Sequence, residues 1–435
     1  MIGRLTIVPA KELTQTVLTY VTPCIKDNCC QRCYSKQLQL EPCTICHQFC
    51  LTCQTCRRFG RSCACCVIVN RPNALLETKR VSCSWVGQLS TQQKQGAQAI
   101  QKAVQENQSL FVCAVTGAGK TEMLYPAICD ALSNGKRVCL AAPRIDVVLE
   151  LEPRLKQAFC DVPIMVMHGR QTEPYRFTPF VLCTTHQLIK FNEHFDVLII
   201  DEVDSYPFHH NALLNDKAKT CVKAQCSIIY LTATPTKTLL QQVKQKQLHY
   251  FELPARYHQH ALPIPKYCWV GHWKKSIQQQ KIPLLLLTRI RLLLKQQKRF
   301  LLFCATIDIM LQLEQLLKKQ LPATVAFTSV YANDGERIEK IQQMRQNHYH
   351  FLMTTTILER GVTFSNIDVI VFGSEEKIYT TETLIQIAGR VGRDKQFPTG
   401  NVYFLHYGKT KASQQAIAFI KRQNQRAKQL GYITC

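Results

Sequence analysis

Ten short apolar runs, separated by longer stretches that mix polar and apolar residues, constrain this chain more than any other feature. SLFVCAV (109–115), RVCLAAP (137–143), FVLCTT (180–185), DVLIID (196–201) and SIIYLTAT (227–234) form one set. RFLLFCAT (299–306), ATVAFTSVY (323–331), HFLMTTT (350–356), IDVIVFG (367–373) and NVYFLH (401–406) form the second. Runs this continuously apolar suit strands covered on both faces, and the helix-length stretches between them supply the crossovers of a parallel sheet. Two α/β sheets of about five strands each are expected. Between the sets, LPARYHQHALPIPKYCW carries Pro254, Pro263 and Pro265, which favour an extended connection, so a boundary near 255–265 follows. A chain of 435 residues is too long for one ordinary core, and the segment ahead of the first set is expected to be a third, smaller part.

Three motifs sit on this frame. Residues 114–121 read AVTGAGKT, with Ala114 where such loops usually begin with glycine. After a strand and before a helix, the small residues Gly117, Ala118 and Gly119, with Thr116, let backbone N–H groups reach phosphate oxygens at a helix N-terminus. Lys120 would then neutralise the β- and γ-phosphates of ATP, and Thr121 would ligate Mg2+ through its hydroxyl. In isolation the same string would suit a tight strand-to-helix turn. Further on, DVLIIDEVD ends a buried strand: Asp201 is placed to hold the Mg2+ shell and Glu202 to orient and deprotonate the attacking water. Near the other end, QIAGRVGR (386–393) offers Gln386, Arg390 and Arg393, whose guanidinium groups can stabilise charge on a transferring phosphoryl group.

TGAGKT, DEVD, LTATP (231–235) and QIAGRVGR occur in the order and spacing of superfamily 2 helicases, which the chain resembles over about residues 87–410. The resemblance implies two tandem RecA-like parallel-sheet lobes. It also implies that Lys120, Thr121, Asp201, Glu202, Arg390 and Arg393 occupy ATP-site positions, with the Thr232-Ala233-Thr234 segment linking hydrolysis to strand movement. LSTQQ (89–93) resembles the adenine-reading element, which assigns a base contact to Gln93. PRIDVVLEL (143–151) and TTHQL (184–188) resemble the first-lobe strand-contacting motifs, and TTTILERGVTF (354–364) the second-lobe motif that touches both strand and nucleotide. The family's backbone-gripping role thereby carries to Pro143, Arg144, Thr184, Thr185, Thr354, Thr355 and Thr356, and a nucleotide role to Gly361. A strand-tip threonine is also simply a good β-former.

The longer strings PRIDVVLEL, DEVDSYPF and TTTILERGVTF are similar to the ComFA family of late-competence ATPases of Gram-positive bacteria. That similarity implies ATP-driven movement on single-stranded DNA at the cytoplasmic side of the competence uptake channel. Its implied partners are a ComFC-like phosphoribosyltransferase-fold protein and a recombination mediator. An RNA helicase of the same superfamily, and an ATP-gated DNA-binding scaffold without productive hydrolysis, remain as alternatives. The formal charge of +24 favours a polyanionic partner, and its distribution sharpens the point: residues 266–299 hold nine Lys or Arg and no acid. The sequence shows neither an apolar run of membrane-spanning length nor a signal-peptide pattern, so a cytoplasmic protein, at most peripheral at the inner face of the membrane, is expected.

Of 23 cysteines, 13 lie in the first 83 residues, which points to metal rather than disulfides in a chain without an export signal. The later ones, such as Cys113, Cys139 and Cys304, sit inside apolar runs and read as small buried residues. CxxC spacings overlap at Cys30/Cys33, Cys43/Cys46, Cys50/Cys53 and Cys53/Cys56. The family pattern matches Cys30, Cys33, Cys53 and Cys56, an expected Zn2+ site, with an iron–sulfur cluster as the competing reading. The eight further cysteines between 24 and 66 leave room for a second metal. The expected parts are a Cys-rich zinc-binding module over 1–85, a first lobe over 86–255 and a second over 256–435.

Overall fold

The computed structural model describes residues 2–13, 20–171 and 173–433. The chain divides into two compact units. Residues 1–88, 95–112 and 121–251 make up the first, and residues 89–94, 113–120 and 252–435 the second. No helix among the described residues is long and apolar enough to cross a membrane.

The Cys-rich module is built of short strands: β1 (Leu5–Pro9), β2 (Val21–Pro23), β3 (Ile25–Lys26), β4 (Cys29–Cys30), β5 (Leu38–Pro42), β6 (Phe49–Cys53) and β7 (Cys66–Asn70). β7 runs antiparallel between β1 and β2, while β3–β4 and β5–β6 are separate antiparallel pairs. Its interior is largely sulfur: Cys24, Cys30, Cys53, Cys56 and Cys63 are fully buried. From 71 to 90 the chain is extended without regular structure. Arg137, fully buried in the first lobe, pins both ends of the module. Its guanidinium donates to the Gly3 carbonyl (2.7 Å), Asn73 Oδ1 (3.0 Å) and the Thr178 carbonyl (3.1 Å). Gly3 has φ +70°, and a Cβ there would meet the Phe177 ring at 2.4 Å, so the close approach requires glycine.

The first lobe carries a seven-stranded sheet of β8 (Leu110–Ala114), β9 (Val138–Ala142), β10 (Ile164–Met167), β11 (Phe180–Thr184), β12 (Phe195–Ile200), β13 (Val222–Thr232) and β14 (His249–Leu253). Its order is β10-β11-β9-β12-β13-β8-β14, parallel from β10 through β13. The second lobe has a six-stranded parallel sheet, β15-β20-β19-β16-β18-β17. Its strands are β15 (Lys266–Trp269), β16 (Arg299–Phe303), β17 (Phe327–Val330), β18 (Phe351–Thr354), β19 (Ile367–Phe372) and β20 (Val402–His406).

All ten expected runs contain a strand. The three extra strands, β10, β14 and β15, each end their sheet; β10 (IMVM) is short, apolar and mostly buried, while the composition of the other two hides them from periodicity. β14 (HYFEL) and β15 (KYCW) are half exposed and carry polar residues, whereas central strands such as β8 and β19 are buried throughout. β15 begins immediately after Pro265, inside the segment expected to be an extended connection.

Candidate functional site

The phosphate-loop string follows β8 directly. Gly117 and Gly119 have φ +81° and +73°, a left-handed pair that turns the loop and that a Cβ would strain. The loop does not run straight into an α-helix: a 3-10 turn, Glu122–Leu124, precedes the helix Tyr125–Ser133. Gln93, assigned a base contact, braces this loop. Its Oε1 accepts from the Ser90 N–H (2.9 Å) and its Nε2 donates to the Gly119 carbonyl (3.1 Å).

Two contacts tie the phosphate loop to the segment that follows β14, and a clamp holds that segment beside them. Gln92, buried and given no role by the motif, clamps Ala255 through both backbone groups, donating to its carbonyl (2.6 Å) and accepting from its N–H (3.2 Å). The Tyr257 N–H donates to the Gly117 carbonyl (3.1 Å). Arg256, fully buried, lies alongside Gly117 and donates to the carbonyls of Gly392 (2.5 Å) and Gly389 (3.4 Å), while His258 Nε2 also bonds the Gly392 carbonyl (2.9 Å). Burial, together with the nearby Arg393, pushes the Arg256 guanidinium down to about 9. Arg256 lies within the proline-rich connection, where no local pattern marks an arginine as spanning the phosphate loop and the arginine segment.

In the arginine segment Arg390 is buried and its Nε donates to the Glu359 carbonyl (3.1 Å), at the end of the Thr356–Glu359 turn. Arg393 Nε donates to the Gly389 carbonyl (2.9 Å). Gly389 packs against Thr116 of the phosphate loop so closely that a Cβ would stand 1.9 Å from its Oγ1. Gly361, with φ +70°, follows the same turn.

Asp201 and Glu202 stand at the tip of β12. The Glu202 N–H donates to Asp201 Oδ1 (2.9 Å), and Glu202 takes φ +51°, a left-handed conformation that a β-substituted residue holds at a cost of about 1–2 kcal/mol. Asp204, buried at the same tip, accepts from Thr232 Oγ1 (2.6 Å) and from Thr234 Oγ1 at the end of β13. The Thr234 N–H donates to Thr232 Oγ1 (2.9 Å). The acidic tip and the LTATP segment are therefore one hydrogen-bonded unit.

The residues expected to grip a strand are buried or half buried, and only some of them border a groove. Pro143 and Thr184 line a groove of about 770 Å³ together with Gln37, Gln54, Thr55 and Phe59 of the Cys-rich module and Tyr206 of the first lobe. Arg144 is half buried before the helix Ile145–Ala158. Thr185 lies inside, its hydroxyl buried without a hydrogen-bond partner. Thr354 also lies inside and donates to the Val330 carbonyl (3.0 Å), while Thr355 and Thr356 are half buried at the strand tip.

In the module, the sulfurs of Cys30, Cys33, Cys53 and Cys56 lie within 4.8 Å of one another, all buried. This donor set suits one tetrahedral thiophilic ion. Arg32 Nε donates to Cys56 Sγ (3.2 Å) and Ser62 Oγ lies 3.3 Å from Cys30 Sγ, contacts that offset thiolate charge. The cluster packs on Ile189 and Leu213 of the first lobe, Phe59 meets His186 at 5.6 Å between ring centroids, and the Lys217 ammonium lies over the Tyr34 ring. The sulfur group thus backs directly onto the Thr185–Lys190 turn that follows Thr184.

Residues 93–243 match the DEAD/DEAH box helicase model and residues 283–395 the helicase conserved C-terminal domain. The chain is 40% identical to the competence protein ComFA of Bacillus subtilis over 349 residues, covering 80% of this chain and 75% of that one. To the ComFA protein of Streptococcus pneumoniae it is 40% identical over 344 residues, covering 79% of each. Saccharomyces cerevisiae Dbp5, solved bound to RNA and ADP BeF3, superposes with a TM-score of 0.55 at 14% identity, over 77% of this chain and 91% of that one, a likeness of fold. The DEAD/DEAH box helicase domain implies ATP with Mg2+ as ligands. With its motifs held on two parallel α/β sheets behind a Cys-rich module, the chain belongs to the ComFA family of competence proteins, superfamily 2 helicase-like ATPases related to the DEAD-box enzymes.

Proposed function

We propose that this protein hydrolyses ATP in response to single-stranded DNA and uses the cycle to move along the strand, driving DNA into the cytoplasm during competence. The observation that carries the reading is the Asp204–Thr232–Thr234 network, in which the acidic tip is bonded to a second strand end within the first lobe. A change at the acidic tip on hydrolysis is thereby felt at LTATP without any loop having to reorder. When ATP and Mg2+ are bound, the metal supplies charge neutralisation at the phosphates. Lys120 holds the phosphate oxygens, Asp201 the metal shell and Glu202 the attacking water, while Arg390 and Arg393 stabilise charge as the phosphoryl group leaves.

The groove lined by Pro143, Thr184, Phe59 and Tyr206 supports a polynucleotide track shared by the first lobe and the module. Exposed Tyr206 and the Phe59 ring offer stacking faces to bases, and Gln37, Gln54 and Thr55 offer hydrogen bonds without a fixed sequence code. Cys30, Cys33, Cys53 and Cys56 would hold Zn2+ and set the position of this wall. A ComFC-like protein, a recombination mediator and the uptake channel are the partners proposed with this role, at the inner face of the membrane.

The test is the ATPase rate of the purified full chain with single-stranded DNA, with RNA and with no polymer. Stimulation by DNA supports the reading. Stimulation by RNA alone makes the protein an RNA-remodelling enzyme, and absence of turnover with any polymer leaves a scaffold.

A further inference from the structure

A second group of sulfurs lies at the tip of the β5–β6 hairpin. Residues 43–48 form its turn, closed by the Cys43 N–H to the Gln48 carbonyl (2.9 Å) and the His47 N–H to the Cys43 carbonyl (2.9 Å), with His47 at φ +58°. The turn presents Cys43 and Cys46, β6 contributes Cys50, and the segment entering β7 contributes Cys65. These four sulfurs lie within 4.8 Å of one another. Four thiolates at about 2.3 Å from one tetrahedral ion stand about 3.8 Å apart, and Cys43 Sγ and Cys65 Sγ are 3.6 Å apart.

Two backbone donors mark the sulfurs as anion-like acceptors: the Ile45 N–H reaches Cys43 Sγ (3.4 Å) and the Cys65 N–H reaches Cys50 Sγ (3.3 Å). An iron–sulfur cluster would stand between its four ligands and hold them farther apart than this. Cys63 and Cys66 adjoin the group through Cys65, at 3.5 Å and 4.0 Å, but four donors already complete a tetrahedron.

Register separates this group from the first one. Cys50 and Cys53 are three residues apart on β6, an odd offset, so their side chains leave opposite faces of the strand. Cys53 turns to Cys30, Cys33 and Cys56, and Cys50 to Cys43, Cys46 and Cys65. These two sets share no ligand, which resolves the overlapping CxxC spacings between them, while Cys63 and Cys66 gather with Cys65 in a further group of three.

We propose that Cys43, Cys46, Cys50 and Cys65 form a second structural metal site, for a single Zn2+-class ion, independent of the Cys30/Cys33/Cys53/Cys56 site. The ion ties the hairpin tip to the segment that enters β7, across a module too short to build an adequate apolar core. The measurement is the zinc-to-chain ratio of purified full-length protein by atomic emission. A ratio of two is expected in the wild type, falling to one in Cys43→Ser/Cys46→Ser and, separately, to one in Cys30→Ser/Cys33→Ser.

A wild-type ratio of one that survives Cys43→Ser/Cys46→Ser and vanishes in Cys30→Ser/Cys33→Ser overturns the proposal. A ratio of one with the opposite dependence overturns only the first site. Should the variants fail to fold, cobalt(II) titration of the metal-stripped wild type decides: tetrahedral thiolate absorption saturating at two equivalents supports the second site, and saturation at one overturns it. Iron with visible absorbance in place of zinc also overturns it.

Discussion

Glu202 holds a left-handed backbone at a strand tip, a conformation no packing rule of a β-strand demands, and its neighbour Asp201 fixes the turn by accepting its N–H. Glu202→Gln keeps the shape and removes the base, so DNA-stimulated turnover is expected to fall by about 10²–10⁴ while ATP binding, read by a fluorescent nucleotide, persists. Lys120→Ala should lose both binding and turnover. At Asp204 the consequence is different: Thr232→Ala with Thr234→Ala leaves a buried carboxylate without its two hydroxyl donors, at a cost of about 1.5–3 kcal/mol per lost charged bond. A lowered Tm together with ATP hydrolysis that no longer responds to DNA is the expected result, and unchanged DNA stimulation would remove the coupling role. His194 gives a pH prediction. Burial, with Arg137 and Lys223 nearby, pushes its imidazole down to about 4, against an ordinary value of 6.5. The folded state therefore disfavours the proton, so the stability held above pH 6.5 is lost as pH falls towards 4. The loss is on the order of 3 kcal/mol. Denaturant unfolding of wild type against His194→Gln between pH 4 and 7 should differ by this slope.

At the scale of elements, the central strands were legible because continuous apolar runs leave few alternatives, and the edge strands β14 and β15 were not, because they mix polar and aromatic residues. The turn after Thr184 shows what elements do together. It carries His186 against Phe59 and Ile189 against the first sulfur cluster, so that cluster and the segment after Thr184 share one packing surface. If the module forms one wall of the track, Phe59→Ala should weaken single-stranded DNA binding by about 1–3 kcal/mol, measured by anisotropy, without changing ATPase in the absence of DNA. Equal affinity would confine the strand to the lobes.

Across the whole molecule, a charge of +24 predicts that DNA affinity falls steeply and linearly in log–log form with salt, a titration that also separates backbone gripping from base readout. The sequence by itself determined the two parallel sheets, the phosphate loop, the acidic pair and the arginine segment, because each is a local string whose chemistry depends on near neighbours along the chain. It also fixed the supply of thiolates but not their partners, since CxxC spacing is satisfied by overlapping pairs; the opposite faces of β6 at Cys50 and Cys53 made that assignment. Tertiary structure alone decided that Gln92 clamps the connection, that Arg256 joins Gly117 to Gly389 and Gly392, and that Arg137 fastens the module at both ends. Each of these is a long polar side chain satisfied by backbone groups far away in sequence. Burial makes such bonds obligatory, but no local pattern announces them.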